Sequence, residues 1–315
     1  MKVKLFTHTD LDGVGCGIVA KYAFGDNVDI QYCDYDNVDD KINRFLDTLL
    51  SEKNYSHSNI FITDISVNDE TAQKINEIHK GLYNVDIKLL DHHATAKWLN
   101  KYNWAYVNDY EISIYPGESE MKSSGTSIFY DYLWNNYELN NQLLVEFVEK
   151  VRRYDTWEWS TRFNDSHAKQ LNDLLYIVGR DQFVERFGVN PSINFTNSEK
   201  TILDVEQYKI SEYINGKQGE LKGFDILEYR AGVVFAEQYH SELGNELAKS
   251  NPEFDFIVII NIASNKVSYR GVKENVDLGE DVAKVFGGGG HPRAAGSQFD
   301  GEMVDDLIRK VFNIK

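Results

Sequence analysis

Aspartate and histidine residues form several short clusters in the first half of the 315-residue sequence. The clusters are His8-Thr9-Asp10-Leu11-Asp12-Gly13, the single Asp64, Asp91-His92-His93, and Asp155. Carboxylate oxygens and imidazole nitrogens are ligands that suit Mn²⁺, Fe²⁺ or Zn²⁺. Two such cations held close together clamp a phosphate and lower the pKa of a bridging water, which then becomes a nucleophile. Taken jointly, these residues predict a two-metal hydrolytic site.

Each cluster by itself has a plainer interpretation. Asp10 or Asp12 would serve as the N-cap of the helix that follows, and Asp64 would be a turn residue. Asp91-His92-His93 would lie in a solvated loop, since three adjacent ionisable residues are costly to bury without partners. Asp155, after a helical stretch, indicates little alone. Only the convergence of these clusters favours a metal site.

Short strands and amphipathic helices alternate through the first part of the chain. The predicted strands are Lys2–Thr7, Val28–Cys33, Asn59–Thr63 and Val85–Leu90, and the predicted helices are Gly13–Phe24, Val38–Leu50 and Asp69–Lys80. This alternation predicts an α/β fold with a mostly parallel sheet and helices on both faces. Right-handed crossovers bring the carboxyl ends of the strands to one edge, where ligands bind in open α/β sheets. His8, Asp64 and His92 each follow a strand, so the clusters should meet there.

A change in composition divides the sequence into two domains. The stretch from Ser124 to Phe187 looks mainly helical and completes a first domain over residues 1–190. Residues 191–222 are predicted as a linker that includes a connecting helix, Thr201–Leu221. Residues 223–315 are predicted as a smaller α/β domain. Its strands are predicted at Asp225–Tyr229, Val233–Glu237, Asp255–Ile262 and Lys266–Arg270, and its helices at Glu242–Lys249 and Gly279–Phe286.

The second domain carries one segment suited to binding an anion. Four consecutive glycines, Gly287–Gly290, follow the last predicted helix and precede His291. We expect a loop there, in which backbone N–H groups and the His291 side chain reach an anion; a plain flexible turn is the alternative. Arg270, at a strand end, would hold a phosphate bidentately, although a lone arginine in such a place is usually only a surface residue.

The charge balance limits the substrate class. Lysine and arginine number 33 against 50 aspartate and glutamate residues, which gives a net charge of −17. Such a chain repels a long polyanion and lacks the basic stripe that grips DNA or RNA. An anionic substrate should therefore be short, with metal ions supplying the local positive charge.

Cysteine use and hydropathy indicate the compartment. Cys16 and Cys33 lie in apolar contexts and are predicted as buried free thiols. The sequence shows neither a signal peptide nor an apolar run long enough to cross a bilayer. We therefore expect a cytoplasmic protein without membrane partners.

Together these motifs resemble the DHH phosphoesterase family with a DHHA1-type C-terminal domain, over nearly the whole chain. The resemblance implies that His8, Asp10 and Asp64 ligate one manganese ion. It implies that Asp12, His92 and Asp155 ligate a second one, with Asp64 as the bridge. The alternative ions are Mg²⁺, Co²⁺ and Fe²⁺.

The same resemblance implies a hydrolase that acts on short oligoribonucleotides, linear dinucleotides or adenosine 3′,5′-bisphosphate through a water activated by two metal ions. His93, Asp64 and Arg270 would be catalytic, with His93 facing the substrate phosphate. The substrate-binding set would be His93, Arg270, Gly288, Gly289, Gly290 and His291. The alternatives are an inorganic pyrophosphatase and a non-catalytic nucleotide-binding protein. The sequence leaves the oligomeric state open, with a homodimer as one candidate.

One departure from the family pattern puts the substrate in doubt. Members that act on short RNA or bisphosphate nucleotides usually have a glycine soon after the fourth-motif aspartate. Here Asp155-Thr156 is followed by Trp157-Glu158-Trp159. We expect the two indoles to be core side chains; the alternative is that they stack on a base.

Overall fold

The computed structural model describes residues 2–51, 57–81, 85–111 and 121–314. The chain forms two compact units, Met1–Leu203 and Asp204–Lys315. The division falls within the segment predicted as a linker, and the helix Asn197–Glu220 runs across it. Within the described ranges, no helix is both long and apolar enough to span a bilayer.

The first unit is built on a five-stranded sheet in which every pair of neighbours is parallel. Its strands are β1 (Val3–Thr7), β2 (Val28–Tyr32), β3 (Asn59–Thr63), β4 (Asp86–Asp91) and β5 (Ala105–Val107), in the order β2-β1-β3-β4-β5. All residues of β1 and β3 are buried, as expected of central strands covered on both faces. The predicted α/β class is confirmed.

Helices cover both faces of this sheet. They are α1 (Leu11–Phe24), α2 (Val38–Ser51), α3 (Asp69–Gly81), α4 (Gly125–Tyr137), α5 (Gln142–Asp155), α6 (Glu158–Thr161), α7 (Ser166–Val178) and α8 (Arg180–Val189); a short hairpin, β6 (Tyr110–Glu111) and β7 (Met121–Lys122), precedes α4. One apolar core packs α1, α4, α5, α7 and α8 on one face, and a second packs α2 and α3 on the other. Cys16 and Cys33 are buried free thiols, as predicted.

The strand order places a ligand position at one point of the sheet. The chain moves outward in one direction from β1 to β2, then crosses to the other side for β3, β4 and β5. Open α/β sheets bind ligands beyond the carboxyl ends of the strands where this reversal occurs. That point lies between the ends of β1 and β3.

The second unit contains a six-stranded mixed sheet. Its elements are α9 (Asn197–Glu220), which begins in the first unit, β8 (Lys222–Ile226), β9 (Tyr229–Phe235), α10 (His240–Ser250), β10 (Phe256–Asn261), β11 (Lys266–Gly271), β12 (Gly289–His291), β13 (Ala294–Gln298) and α11 (Glu302–Phe312). The order is β12-β13-β11-β10-β9-β8, with β9 and β10 parallel and the other pairs antiparallel. Apolar clusters lie on both faces of the sheet.

Two local predictions for the second unit are wrong. The predicted strand Asp225–Tyr229 spans a hairpin turn, because β8 ends at Ile226 and Leu227 adopts φ of +56°. The predicted helix Gly279–Phe286 is helical, as a π-helix followed by a 3₁₀ helix. The glycine segment is not wholly a loop, since Gly289–His291 pairs with β13 as an edge strand. Pairing with a strand later in the chain decides the last case, and local sequence carries no signal for it.

Candidate active site

The predicted metal-binding residues lie at the carboxyl edge of the parallel sheet in the first unit. His8 directly follows β1, Asp64 directly follows β3 and His92 directly follows β4. Asp10 and Asp12 sit at the start of α1, and Asp155 is the last residue of α5. Four segments of the chain therefore bring all six side chains to the point where the strand order reverses.

Three groups of potential ligand atoms lie at this edge among the described residues. They are His8, Asp10 and Asp64; Asp12, His92 and Asp155; and Asp64, Asp91, His92 and His93; within each group the atoms lie within 4.8 Å of one another. Asp64 Oδ2 lies 4.0 Å from His8 Nδ1, whereas its Oδ1 lies 3.3 Å from His92 Nε2. Each oxygen of this carboxylate thus faces a different group.

Four buried polar atoms of these residues have no hydrogen-bond partner among the described residues. They are His8 Nδ1, Asp64 Oδ2, His92 Nε2 and Asp155 Oδ2. The closest contact, 2.9 Å between His8 Nδ1 and Asp10 Oδ2, lacks hydrogen-bond geometry. Unpaired polar atoms in a buried position are costly. Two divalent cations that accept imidazole and carboxylate ligands would satisfy all four atoms, so the residues fit a metal site.

The pKa values of the carboxyl groups reflect the same lack of positive charge around them. Burial, together with Asp12 and Asp10, raises the pKa of Asp64 well above its usual range. Burial and the same two carboxylates also raise the pKa of Asp155 well above that range. Asp10 differs, because contact with His8 outweighs burial and lowers its pKa. Bound cations would reverse the shifts at Asp64 and Asp155.

Asp10 and Asp12 act as helix caps and still point oxygens into the site. Asp10 Oδ1 accepts a hydrogen bond from Gly13 N at 3.0 Å, which caps α1. The Asp12 carboxylate accepts from Gly125 N at 2.6 Å and from Thr126 N at 2.9 Å, at the start of α4. For Asp10 the capping and ligand interpretations are compatible, because Oδ1 caps α1 and Oδ2 stays free. Both oxygens of Asp12 accept hydrogen bonds from α4, and each keeps a second lone pair for a ligand.

Two glycines allow the backbone to come close to the site. A Cβ at Gly13 would lie 2.2 Å from the carbonyl oxygen of His8, and a Cβ at Gly125 would lie 2.4 Å from Cβ of Asp64. Asp64 itself adopts φ of +56°, a conformation that costs a non-glycine residue about 1–3 kcal/mol and is common at functional sites. Packing at this point holds Asp64 in an unfavourable conformation.

His93 is oriented by Asp91, which belongs to a cluster found in the sequence but was given no role of its own. Its Nδ1 lies 2.7 Å from Oδ1 of Asp91, a fully buried carboxylate. Its Nε2 lies 3.3 Å from the hydroxyl of Tyr35. Burial lowers the pKa of His93, but the bond to Asp91 outweighs it and the net shift is upward. Tyr35 could have been found from the sequence, because it follows β2, which ends at the same edge.

The indoles after Asp155 are not both core side chains, contrary to expectation. Trp157 is 46% exposed and adopts φ of +63°. Trp159 is half-buried and packs edge-on against it, with ring centroids 5.3 Å apart. The left-handed backbone at Trp157 turns the chain between α5 and α6 and leaves its ring at the surface.

A buried arginine holds the end of α5. Arg152 is 1% exposed, and its guanidinium donates to both carboxylate oxygens of Glu149, to Glu158 Oε2 and to the carbonyl oxygen of Lys122. These contacts join α5, which ends in Asp155, to α6 and to the strand that leads into α4. The sequence places Arg152 only in the last turn of a helix, so its role was missed.

In the second unit, Arg270 and His291 lie in one row of the sheet. Arg270 of β11 pairs with Ala294 of β13, which in turn pairs with His291 of β12. Directly opposed residues share a face, so both side chains are on the same face. Arg270 donates to the carbonyl oxygen of Tyr269 and to Ser241 Oγ, and burial lowers its pKa. His291 is exposed.

Most glycines of this segment are required by close packing or by a positive φ. A Cβ at Gly288 would lie 2.0 Å from the carbonyl oxygen of Gly296, and one at Gly290 would lie 2.6 Å from Cα of Ala295. Gly287 and Gly290 also adopt positive φ, +72° and +145°. Gly287 and Gly289 have open space around them. Close strand pairing therefore accounts for Gly288 and Gly290, and the positive φ accounts for Gly287, without a ligand.

The fold and the side-chain chemistry define a two-unit α/β protein whose first unit is suited to hold divalent cations. No family model matches the chain. It is, however, 38% identical to oligoribonuclease NrnB of Bacillus subtilis, over 98% of this chain and 76% of that protein. The chain belongs to the DHH phosphoesterase family, as its motifs indicated, and is a phosphate-ester hydrolase.

Two further proteins resemble the chain over its full length. A 3′,5′-cyclic-nucleotide phosphodiesterase of Helicobacter pylori is 25% identical over 99% of both chains. The structure of PggH, a pGpG-specific phosphodiesterase of Vibrio cholerae, superposes with a TM-score of 0.54 at 14% identity, covering 99% of this chain and 98% of that one. The structural likeness confirms the fold.

Proposed function

We propose that this protein hydrolyses phosphate esters of short nucleotides, and that it uses two divalent cations, with manganese as the preferred ion. The candidate substrates are oligoribonucleotides of a few residues, linear dinucleotides and adenosine 3′,5′-bisphosphate. The observation that carries the proposal is Asp64, whose two oxygens face two separate groups of ligand atoms. A carboxylate that bridges two cations requires this arrangement.

Each residue of the site has a role in this proposal. His8, Asp10 and Asp64 would hold one ion, and Asp12, Asp64, His92 and Asp155 the other. When bound, two such ions lower the pKa of a water and offset the charge that develops on phosphorus oxygens. His93, held at Nδ1 by Asp91, presents Nε2 to a phosphate oxygen beside Tyr35.

The second unit would bind the nucleotide. Arg270 and His291 lie on one face of its sheet and would contact a phosphate or the nucleotide end. Gly288, Gly289 and Gly290 would contribute backbone N–H groups. Arg270 would have to exchange its bond to Ser241 for one to the ligand, which a strong charge-assisted bond favours.

Net charge and relatives both favour a short substrate. A net charge of −17 opposes binding of a long polyanion. The relative at 38% identity is named an oligoribonuclease, and the one at 25% a cyclic-nucleotide phosphodiesterase. A pyrophosphatase is the weaker candidate, since neither of these relatives is named one.

A substrate panel at fixed Mn²⁺ tests the proposal. We expect turnover of the dinucleotide pApA, of short RNAs or of adenosine 3′,5′-bisphosphate, little turnover of long single-stranded RNA, and none after removal of metal. Parallel reactions with Mg²⁺ and Co²⁺ rank the ions. Exclusive release of phosphate from pyrophosphate would favour the alternative, and binding of nucleotides with no turnover at any metal would overturn the enzymatic role.

A further inference from the structure

A groove with a cavity volume of about 810 Å³ lies in the first unit beside α4. One wall is α4, which contributes Asp131, Tyr132 and Asn135 among others. The other wall is the outer part of the sheet, including Trp104 and Tyr106. None of these residues belongs to the metal-binding groups, so the groove is a separate feature of the same unit.

The groove follows from the way the helices cover the sheet. Ile128, Asp131, Tyr132 and Asn135 recur at helical spacing and therefore form one face of α4. In the order β2-β1-β3-β4-β5, the strand β5 is the edge. On this face, the apolar core of α1, α4, α5, α7 and α8 includes Leu90 of β4 but no residue of β5. The side of α4 toward the edge thus stays open.

The lining of the groove has the chemistry that recognises a nucleobase. Tyr106, 52% exposed, offers an aromatic face on which a base can stack. The backbone carbonyl of Asp131 accepts from Asn135, but its carboxylate has no hydrogen bond or ion pair with a described residue and is free to accept from N–H groups of a base. Trp104 Nε1 is buried, at 1% exposure for the residue, and lacks a partner within the described part of the chain. Asn135 donates to a helix carbonyl and keeps its own carbonyl oxygen available.

Charge argues against a phosphate as the occupant. The uncompensated carboxylate of Asp131 would repel it, and Lys88, the cation in the lining, has Asp86 as a neighbour at 3.9 Å. A purely apolar occupant would leave Asp131 and Trp104 Nε1 without hydrogen bonds, which is costly. A flat aromatic group with N–H donors and an acceptor carries no negative charge. It would also form hydrogen bonds with Asp131 and with Trp104 Nε1.

One end of the groove touches the strand end that carries the candidate active site. Asn108, which lines the groove, donates its backbone N–H to the carbonyl oxygen of Asp91 at 3.0 Å. Ser123, also in the lining, donates to the carbonyl oxygen of Asn108 and immediately precedes the N-cap of α4. The groove and the strand end that carries His92 and His93 are therefore neighbours, on β5 and β4 of the same sheet.

We propose that the groove between α4 and β5 binds the base next to the scissile phosphate, with Tyr106 as its stacking surface. The inference rests on the proposed function and adds the base-recognition element to it. It predicts that affinity for a short substrate depends on a base in this position, and that recognition uses a face of the first unit itself.

The test compares two dinucleotides: pApA, and the same molecule with one base replaced by hydrogen, made for each position in turn. The variant Tyr106→Ala should raise the KM of pApA about tenfold, the size of effect that loss of one base–aromatic stack gives. It should leave the KM of one of the two abasic substrates unchanged. Tyr106→Phe keeps the ring and should behave as the wild type.

Tyr208→Ala is the matched control, since Tyr208 lies on α9 outside the groove and is 66% exposed. Thermal melts establish that each variant is folded. An equal rise in KM for pApA and both abasic substrates, or no rise for any, would overturn the groove proposal while the enzyme remained active. If the wild type turns over none of them, the proposed function fails instead, and equilibrium binding of the same dinucleotides to wild type and Tyr106→Ala still decides about the groove.

Discussion

Two regions of the molecule combine polar residues suited to a phosphate substrate, and they are built in opposite ways. In the first unit, buried atoms of Asp64, His92 and Asp155 have no hydrogen-bond partner among the described residues. In the second unit, Arg270 already has hydrogen-bond partners and His291 is exposed on an edge strand. Buried polar atoms without hydrogen bonds identify a site more strongly than exposed polar residues do, because only the former have a folding cost that a ligand removes.

The largest expected effect follows from Asp64→Asn. The amide cannot bridge two cations, so activity should fall by at least about 10³-fold, which corresponds to the several kcal/mol that such metal sites contribute. Metal content by mass analysis should fall in parallel. Asp69→Asn is the control, at an exposed aspartate that starts α3. Full activity in Asp64→Asn would contradict the two-metal site.

Loss of the buried Arg152 should affect stability and site together. Arg152→Met removes one of two arginine partners from each of Glu149 and Glu158. The loss of hydrogen bonds to charged groups should lower the free energy of unfolding by about 1.5–3 kcal/mol. Urea unfolding should show this loss. Metal affinity should fall by about 10–100-fold, because Asp155 is the last residue of the helix that Arg152 holds in place. Arg44→Met, at an exposed pair, should change the free energy of unfolding by less than about 1 kcal/mol. Similar unfolding curves for both variants would show that the Arg152 contacts are unimportant.

Arg270→Ala tests whether nucleotide binding by the second unit is independent of metal binding by the first. We expect the KM for short nucleotides to rise by about 10–100-fold, the range for losing a hydrogen bond to a charged group. Metal affinity, measured by titration, should stay at the wild-type value, since no residue of the metal groups lies in the second unit. An unchanged KM would remove Arg270 from the substrate site.

Two neighbouring glycines test whether the edge strand depends on its glycines. Gly290→Ala forces a Cβ to within 2.6 Å of Ala295 at φ of +145°, and should destabilise the protein by about 1–3 kcal/mol. Gly289→Ala meets open space and should unfold like the wild type. If Gly289→Ala nevertheless weakens nucleotide binding, the segment contacts the ligand; equal stability of the two variants would show that β12 is not held as described.

The smallest effect is a pH dependence of the metal-free protein. Asp64 and Asp155 have raised pKa values when folded, so the folded chain retains protons that the unfolded chain releases above about pH 4. Stability of the metal-free protein should therefore decline as the pH rises from 5 to 8. His8 and His93, whose pKa values are also raised, act in the same direction. Melting temperatures after chelation should fall across this range, and added Mn²⁺ should abolish the trend; a rising melting temperature would refute the assignment.

The elements that position the site were largely predictable. Apolar runs of strand length and helical repeats are local properties, and the predicted strand Asn59–Thr63 matches β3 at both ends. The residue types after the strands also indicated metal chemistry. Chain connectivity then restricts where the strand ends meet, since parallel strands with right-handed crossovers share an edge.

Other features depend on pairs of residues far apart in the chain. The contact of Tyr35 with His93 arises only because the ends of β2 and β4 lie at one edge of the sheet, whereas the contact of Asp91 with His93 joins residues two positions apart. Trp157 is exposed because the backbone turns after α5, and Gly289–His291 is a strand because β13 lies beside it.

What the sequence alone determined was the chemistry available and the short elements that carry it. Tertiary structure decided which atoms are buried, unpaired and opposed, because burial and contact depend on the packing of many distant segments at once. The two oxygens of Asp64, each facing a different group, are the clearest case: residue type and spacing predict a ligand, whereas only packing sets its left-handed backbone and its direction.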